Sequence, residues 1–304
     1  MARNIVSPLK SVASTTVVLN NGKEMPVIGL GTYRVRGDST IHTAIEAAFA
    51  AGYRAIDTAQ EYGNEASIGR ALKVLLPKFN LKREDIFITS KLSPQYNGNA
   101  EQVKSLVAQT LKDLGITYLD LFLIHWPGTF GVDSSSPQQI SNRHTLWNAL
   151  TELYNPNNGP LKSIGVSNYT AKHLVDLIQN SKVVPAVNQV EFHPHFLQPQ
   201  VLIDVCNQNK IALQAYASLG STSSNPLIAD STLAQIAKVH SVSPAQVLLR
   251  WALQENFLII PKSVTPERIV QNIALDFELS PEEVKAIENI PNKQKYCWNP
   301  DKIA

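Results

Sequence analysis

Cysteine is scarce in this sequence, and long apolar runs are missing from it. Cys206 and Cys297 are the only cysteines in 304 residues, too few for a disulfide scaffold and without the spacing of a metal site. No apolar stretch approaches the ~20 residues that a membrane-spanning helix needs, and the first residues lack the apolar segment of a signal peptide. We therefore expect a cytoplasmic protein without a membrane partner.

Clustered charge is missing as well. The net charge is only +2, and no run of Lys or Arg marks a surface for nucleic acid. What the sequence does have is a hydrophobic content of 44%, which is enough for a large buried core. We expect a globular protein without a nucleic-acid partner.

Strand-like and helix-like segments alternate along most of the chain. Eight apolar runs are predicted as strands, at residues 27–31, 54–57, 86–91, 119–125, 161–166, 185–190, 211–216 and 258–261. These runs are continuously apolar, which is typical of parallel strands that are buried on both faces. Eight strand–helix units in about 250 residues match a closed (β/α)8 TIM barrel, an α/β fold. We predict a single such domain over residues 1–304.

An open, doubly wound sheet is the alternative fold. Such a sheet usually carries a Gly-rich phosphate-binding turn after its first strand. The corresponding stretch here, "GLGTYR", has only Gly29 and Gly31, and no helix begins there. The barrel is therefore favoured.

Two segments outside the repeating units have predicted places in the barrel. A β-hairpin around Asn21-Gly22 is predicted to close the bottom. The tail from Ile290 onward is irregular and contains Tyr296 and Trp298, and we predict that it lies over the mouth. A polar insertion at residues 128–143 follows the fourth strand and is predicted to be a loop.

Polar side chains follow several of the predicted strands, and the carboxyl ends of barrel strands meet at one mouth. Asp57, Lys91 and His125 end the second, third and fourth strands, and Tyr62 follows shortly after Asp57. Any one of them alone is more often a surface charge or a hydrogen-bonded core residue. Together they favour a catalytic site.

The four residues make chemical sense as a set. A free tyrosine has a pKa of about 10, which makes it a weak acid at neutral pH. A nearby ammonium favours the phenolate, so we predict that Lys91 lowers the pKa of Tyr62 and makes it a general acid. Asp57 is predicted to hold Lys91 in place, and His125 to orient a carbonyl oxygen beside Tyr62.

From about residue 15 to the tail, the sequence resembles the aldo-keto reductases. "GYRAIDTAQEYGNEASIG" matches the first signature of that family, with Asp57 and Tyr62 at the catalytic positions. "ITSKL" matches at the lysine, "LFLIHWP" at the histidine, and "IGVSN" and "VNQVEFHP" at the nicotinamide contacts. "IPKSVTPERIVQN" matches the segment for the adenosine 2′-phosphate.

The resemblance implies NADPH-dependent reduction of a small aldehyde or ketone by a monomer. It implies that Ser167, Asn168 and Gln189 bind the carboxamide and that Tyr216 stacks under the nicotinamide ring. Lys262, Ser263, Arg268 and Asn272 should surround the 2′-phosphate, and such a group suits Arg, Lys and hydroxyl or amide donors. The complete implied cofactor set is Thr32, Ser167, Asn168, Gln189, Tyr216, Leu219, Ser221, Lys262, Ser263, Val264, Thr265, Arg268, Gln271 and Asn272.

The substrate pocket and the diphosphate contacts depart from the family pattern. Tyr33, Trp126 and Trp298 are the expected substrate contacts, and many relatives have Trp at the position of Tyr33. The chain reads "AYASLG" where the family usually reads A-Y-S-P-L-G. Ala217 thus replaces a serine that commonly contacts the diphosphate, and Ser218 replaces a proline.

Two other functions are compatible with parts of the sequence. A metal-dependent hydrolase barrel is suggested by His193 and His195, together with His125, Asp57 and Lys91. A non-catalytic NADP-binding relative with a structural or regulatory role is the second alternative, but it predicts erosion of the four catalytic residues, which are all present. We expect an enzyme without a metal.

Overall fold

The computed structural model describes residues 11–95, 99–220, 226–291 and 294–304. Ser221, one of the predicted cofactor contacts, lies outside the described residues. The strands are β1 Thr16–Val18, β2 Glu24–Pro26, β3 Leu30–Gly31, β4 Ala55–Asp57, β5 Phe87–Leu92, β6 Leu121–Ile124, β7 Ile164–Ser167, β8 Val187–Glu191, β9 Ala212–Tyr216 and β10 Leu258–Ile259. The helices are α1 Asp38–Ala50, α2 Glu65–Lys78, α3 Ala100–Leu114, α4 Gln138–Leu153, α5 Ala171–Gln179, α6 Gln200–Gln208, α7 Ser231–His240, α8 Pro244–Gln254, α9 Pro266–Ile273 and α10 Pro281–Glu288.

The predicted barrel is confirmed. Strands β3 to β10 form an eight-stranded sheet in chain order, and all of its neighbours are parallel. Parallel bridges from Ile28 to Ile259 and from Gly31 to Lys262 join the first strand to the last. The sheet therefore closes on itself with helices around it, as a (β/α)8 barrel does.

Each predicted strand is present, with shifted or shortened bounds. The first and last are the shortest, two residues each, because the closure uses isolated bridges rather than a long ladder. Gly31 is needed at this seam, since a Cβ there would lie 2.5 Å from the carbonyl oxygen of Ile260. The predicted loop at 128–143 is partly wrong, because its last residues, from Gln138, form the first turns of α4.

The hairpin lies where it was predicted. β1 and β2 pair antiparallel, with Thr16 opposite Pro26. At its turn, the side-chain amides of Asn20 and Asn21 donate to the carbonyl oxygens of Pro185 and Lys162, at 2.9 and 3.0 Å. Those carbonyls precede β8 and β7, so the hairpin covers the amino ends of the strands, opposite the predicted site.

Helical amphipathicity explains how the outer layer packs. In α1, Ile41, Ala44, Ile45, Ala48 and Phe49 are buried, and they recur at the three- and four-residue spacing of one helical face. Gly52 lies just after α1, in the connection to β4, and its φ of +98° is a backbone conformation that residues other than glycine rarely adopt. Within the described ranges, no helix combines the length and the apolar character of a membrane span.

Candidate active site

Lys91 is the centre of a buried polar cluster at the carboxyl edge of the sheet. Its Nζ donates to Oδ1 of Asp57 at 2.5 Å, to the carbonyl oxygen of Thr58 at 2.8 Å and to Oη of Tyr62 at 3.2 Å. An ammonium has three donors and no acceptor, so these contacts use its whole capacity. The phenol oxygen of Tyr62 accepts from Lys91, which leaves its own O–H available to donate elsewhere.

The local backbone explains how Tyr62 reaches this position. β4 ends at Asp57, and a single 3-10 turn, Gln60–Tyr62, follows before α2. Gly63 adopts φ +63° directly after the tyrosine, so the chain can reverse there without strain. The Tyr62 ring lies 5.8 Å from the ring of His125, nearly edge-on. The structure thus brings together all four predicted catalytic residues.

The electrostatics differ from the prediction for Tyr62. Burial raises the pKa of its phenol, and the Asp57 carboxylate acts in the same direction. Burial also lowers the pKa of Lys91, although its contacts with Asp57 oppose that change. The predicted lowering of the Tyr62 pKa is therefore wrong: Lys91 lies closer to Asp57 than to Tyr62, and the net effect of the site is to keep the phenol protonated.

His125 is neutral at physiological pH. Burial, and to a smaller extent Lys91, lowers the pKa of its imidazole to about 3. Nδ1 lies 3.4 Å from Oε2 of Glu61, but the contact is not aligned as a hydrogen bond and no other described residue provides one. The carbonyl oxygen of His125 accepts from Nδ2 of Asn168 at 3.0 Å, which ties this strand end to the next.

The predicted nicotinamide contacts form one hydrogen-bonded chain. Nε2 of Gln189 donates to Oδ2 of Asp57 at 2.8 Å, so this residue also holds the Asp57 carboxylate. Oγ of Ser167 donates to the carbonyl oxygen of Gln189, and Oη of Tyr216 donates to Oδ1 of Asn168. Asn168 adopts φ +65°, a strained conformation of the kind that clusters at functional sites. Gln214, which the sequence did not suggest, accepts from Gln189 on the adjacent strand.

Thr32 and Leu219, which belong to the predicted cofactor set, lie with Ala217 and Ser218 around the ends of β3 and β9. Oγ1 of Thr32 donates to the carbonyl oxygen of Asp57 at 2.8 Å. Leu219 is half-buried against the core. Ala217 has φ +53°, and the buried hydroxyl of Ser218 has no hydrogen-bond partner among the residues that the structure describes.

The residues predicted for the 2′-phosphate gather at the start of α9. Lys262 and Arg268 are exposed, and neither forms an ion pair within the described ranges. The N-cap residue Thr265 makes no side-chain capping bond, so backbone N–H groups of the first turn stay available to an anion. The other residues predicted for this end of the cofactor lie in the same segment: Ser263, Val264, Gln271 and Asn272.

Aromatic side chains form the rim of the mouth. The ring of Tyr33 lies 5.1 Å from that of Tyr62. Trp298, from the tail, packs edge-on against Trp126 at 5.9 Å, as the prediction of a tail over the mouth requires. It also contacts Phe130 at 5.6 Å, a residue that sequence reasoning placed in the insertion without a role.

The two histidines that suggested a metal site are used in hydrogen bonds. Nε2 of His193 lies 2.9 Å from Oε1 of the buried Glu191, and Nδ1 of His195 lies 2.5 Å from Oη of Tyr296. Across the described part of the chain, no group of three or more His, Cys, Asp or Glu is arranged to hold a metal ion. Glu191 was also missed by sequence reasoning, although it stands inside the quoted motif "VNQVEFHP".

A barrel with a polar cluster at the carboxyl edge of its strands has the architecture of a (β/α)8-barrel enzyme. Comparison with known proteins identifies the family. The model of the Aldo/keto reductase family matches residues 27–292. Glyoxal reductase of Bacillus subtilis is 38% identical over 289 residues, which cover 95% of this chain and 97% of that protein. Aldo-keto reductase family 1 member A1-A of Danio rerio is 37% identical over 301 residues, which cover 93% of this chain and 91% of that protein.

A solved structure points to the same family as the family model and the two relatives. An aldo-keto reductase from a Medee basin deep-sea metagenome library superposes with a TM-score of 0.83 at 40% identity, over 95% of this chain and 99% of that one. This chain belongs to the aldo/keto reductase family. It is therefore an oxidoreductase related to carbonyl reductases, in a family that uses nicotinamide cofactors.

Proposed function

We propose that the protein reduces aldehydes and ketones to alcohols with NADPH, and that Tyr62 supplies the proton. The observation that carries this proposal is the hydrogen-bond arrangement of Lys91, which donates to both Asp57 and Tyr62. A phenol that accepts from an ammonium directs its own proton away from that ammonium. A carbonyl oxygen beside Tyr62 and His125 would receive that proton.

The side chains have distinct roles in the reaction. NADPH, when bound, supplies a hydride to the carbonyl carbon. Tyr62 then gives its proton to the oxygen, which becomes the alcohol oxygen, and the phenolate that forms is stabilised by the hydrogen bond from Lys91. Asp57 holds Lys91, and Gln189 holds Asp57. The raised pKa of Tyr62 means that Lys91 acts on the phenolate as it forms, rather than by ionising the phenol beforehand.

His125 is proposed to orient the carbonyl. Because its pKa is about 3, the neutral ring has one N–H to donate and adds no positive charge beside Lys91. Its backbone is fixed by Asn168. Loss of His125 should therefore change the preference among carbonyl compounds more than it changes cofactor binding.

The predicted cofactor residues fit NADPH rather than NADH. Ser167, Asn168, Gln189 and Tyr216 would hold the nicotinamide end. Lys262 and Arg268 would hold the 2′-phosphate, together with the open first turn of α9. The supporting observation is that these two exposed cations are unpaired within the described ranges, at a helix start that attracts anions.

The substrate is proposed to be a small carbonyl compound that is mainly apolar around its reactive group. Tyr33, Trp126, Trp298 and Phe130 present aromatic surface at the mouth. Such a rim favours apolar and aromatic aldehydes over highly polar ones. We also propose that the protein acts as a monomer, which sedimentation at working concentration would check.

The test is NADPH consumption measured over a panel of aldehydes and ketones, with NADH and a metal chelator as separate arms. We expect reduction of several aldehydes, a preference for NADPH and no effect of the chelator. Normal NADPH binding with no reduction of any carbonyl compound would favour a non-catalytic relative. Loss of activity on chelation would favour a metal-dependent reaction instead.

A further inference from the structure

Glu191 ends β8, two residues after Gln189, and its side chain is completely buried. None of the hydrogen bonds of its carboxylate within the described residues is with Tyr62, Lys91 or His125. The carboxylate accepts instead from the tail: from Nζ of Lys295 at 2.5 Å and from the backbone N–H of Tyr296 at 2.6 Å. The backbone N–H of Cys297 lies 3.2 Å from Oε2 of Glu191, the oxygen that Lys295 also contacts.

The charge and hydrogen-bonding capacity of this carboxylate are fully used. His193 contributes a further contact at 2.9 Å, from the loop that follows β8. A carboxylate has about four acceptor positions, and donors from the strand-end loop and the tail fill them. Lys295 neutralises the charge, and its side chain is itself only 13% exposed.

The tail has a second attachment, at its far end. The guanidinium of Arg143, on α4, donates to the carbonyl oxygen of Ala304 at 2.6 Å. Nε2 of His173, on α5, lies 3.0 Å from the carbonyl oxygen of Ile303. Trp298 stands between these two attachments, immediately after the segment that Glu191 binds.

Trp298 cannot hold its own position by burial, because it is 64% exposed. Its edge-on contacts with Trp126 and Phe130 are weak individually. We propose that Glu191 is a positioning residue for the aromatic rim of the mouth: its carboxylate latches residues 295–297 to the end of β8 and so holds Trp298 over the mouth. The link to substrate rests on the proposed function, whereas the latch itself does not.

The test combines amide hydrogen exchange with substrate kinetics on Glu191→Gln. A glutamine has nearly the same shape but no charge, and its amide nitrogen cannot accept from Lys295 or from the backbone. We expect exchange in the peptide 294–299 to accelerate by roughly tenfold or more, equivalent to ~1.4 kcal/mol of lost local stability, while the barrel strands keep their protection. The KM for a bulky aromatic aldehyde should rise severalfold, with little change in kcat or KM for a short-chain aldehyde.

Glu283→Gln is the matched control. Glu283 also accepts from a histidine, His240, and from a backbone N–H, that of Ser280, but it lies on α10, away from the mouth. This variant should leave the exchange rate of peptide 294–299 unchanged, and also the kcat and KM for both aldehydes. Equal effects of the two glutamine variants on the tail would overturn the proposal.

Lys295→Met provides a second variant in case Glu191→Gln unfolds, which would appear as faster exchange throughout the barrel. It removes one donor and leaves the others in place, so faster exchange confined to the tail supports the latch and unchanged exchange overturns it.

The exchange measurement needs no substrate, so it tests the latch independently of the proposed function. If the wild type reduces no carbonyl compound, the proposed function fails while the latch is still tested. If wild-type activity is normal but exchange does not change, only the latch fails.

Discussion

Two regions of the mouth differ in burial and in the contacts that they make. The floor is the hydrogen-bonded cluster around Lys91, and the rim is the aromatic surface that includes Tyr33 and Trp298. On the floor, Lys91 is fully buried and Asp57 nearly so, and each donor of the ammonium has its own acceptor. On the rim, Tyr33 and Trp298 are 51% and 64% exposed, and each packs against a neighbouring aromatic ring. The floor is held by buried hydrogen bonds, whereas the rim consists of exposed aromatic side chains. We infer that the floor determines the reaction and the rim determines the choice of substrate.

The largest expected effect comes from breaking the floor at Lys91. Lys91→Met removes the donor to the Tyr62 oxygen and leaves Asp57 as a buried carboxylate without its cation. The rate of the chemical step, measured in a single turnover with NADPH, should fall by roughly 10²–10⁴-fold. Lys104→Met, which removes a surface ion-pair partner, is the control. An unchanged single-turnover rate in Lys91→Met would refute the role of Lys91.

The next largest effect concerns the cofactor end of the site. Arg268→Ala should weaken NADPH binding by roughly 10- to 100-fold, because a hydrogen bond to a charged group contributes about 1.5–3 kcal/mol. NADH binding should hardly change, and the difference should shrink at high salt because Arg268 is exposed. Titration of both cofactors against both proteins measures this. Equal losses for NADH and NADPH would show that Arg268 supports the fold or the shared adenosine.

A smaller and more selective effect is expected from the rim. Trp298→Ala removes the ring contacts with Trp126 and Phe130. An aromatic contact contributes about 0.5–1.5 kcal/mol, so the KM for a bulky aromatic aldehyde should rise roughly 2- to 10-fold. A short-chain aldehyde should be reduced as before. If the variant lost kcat equally on both substrates, the separation between floor and rim would be wrong.

The smallest expected effect is that of pH on the chemical step. The pKa of His125 is lowered to about 3, and that of Tyr62 is raised above its ordinary value. His125 is thus neutral above the lowered value, and Tyr62 is protonated below the raised one. Between about pH 5 and 8, neither His125 nor Tyr62 changes its charge, so neither should contribute a limb to the pH profile of the single-turnover rate. A limb centred near the ordinary pKa of histidine would contradict the lowered pKa of His125.

The sequence predicts the floor better than the rim, for a physical reason. Asp57 and His125 follow continuous apolar strands directly, and the carboxyl ends of such strands can only meet at one edge. Tyr33 and Trp298 lie on a loop and a tail, whose paths depend on long-range contacts. The role of Glu191 in holding the tail was missed because its partners stand more than a hundred positions further along the chain.

The sign of the Tyr62 shift could not be predicted from the sequence either. The sequence shows that an ammonium is available but not how its charge is shared. In the structure, Asp57 takes the shortest contact of Lys91, and the protein interior surrounds the phenol. The balance of burial and charge depends on distances of a few tenths of an ångström, which residue patterns do not encode.

The most direct test of the proposed chemistry is the single-turnover rate of Tyr62→Phe. The change removes the proton that the carbonyl oxygen must receive and leaves the ring in place. We expect NADPH to bind with nearly its wild-type affinity, and the rate of carbonyl reduction to fall by at least about 10²-fold. A Tyr62→Phe protein that binds NADPH and reduces an aldehyde at the wild-type single-turnover rate would contradict the assignment of Tyr62 as the acid.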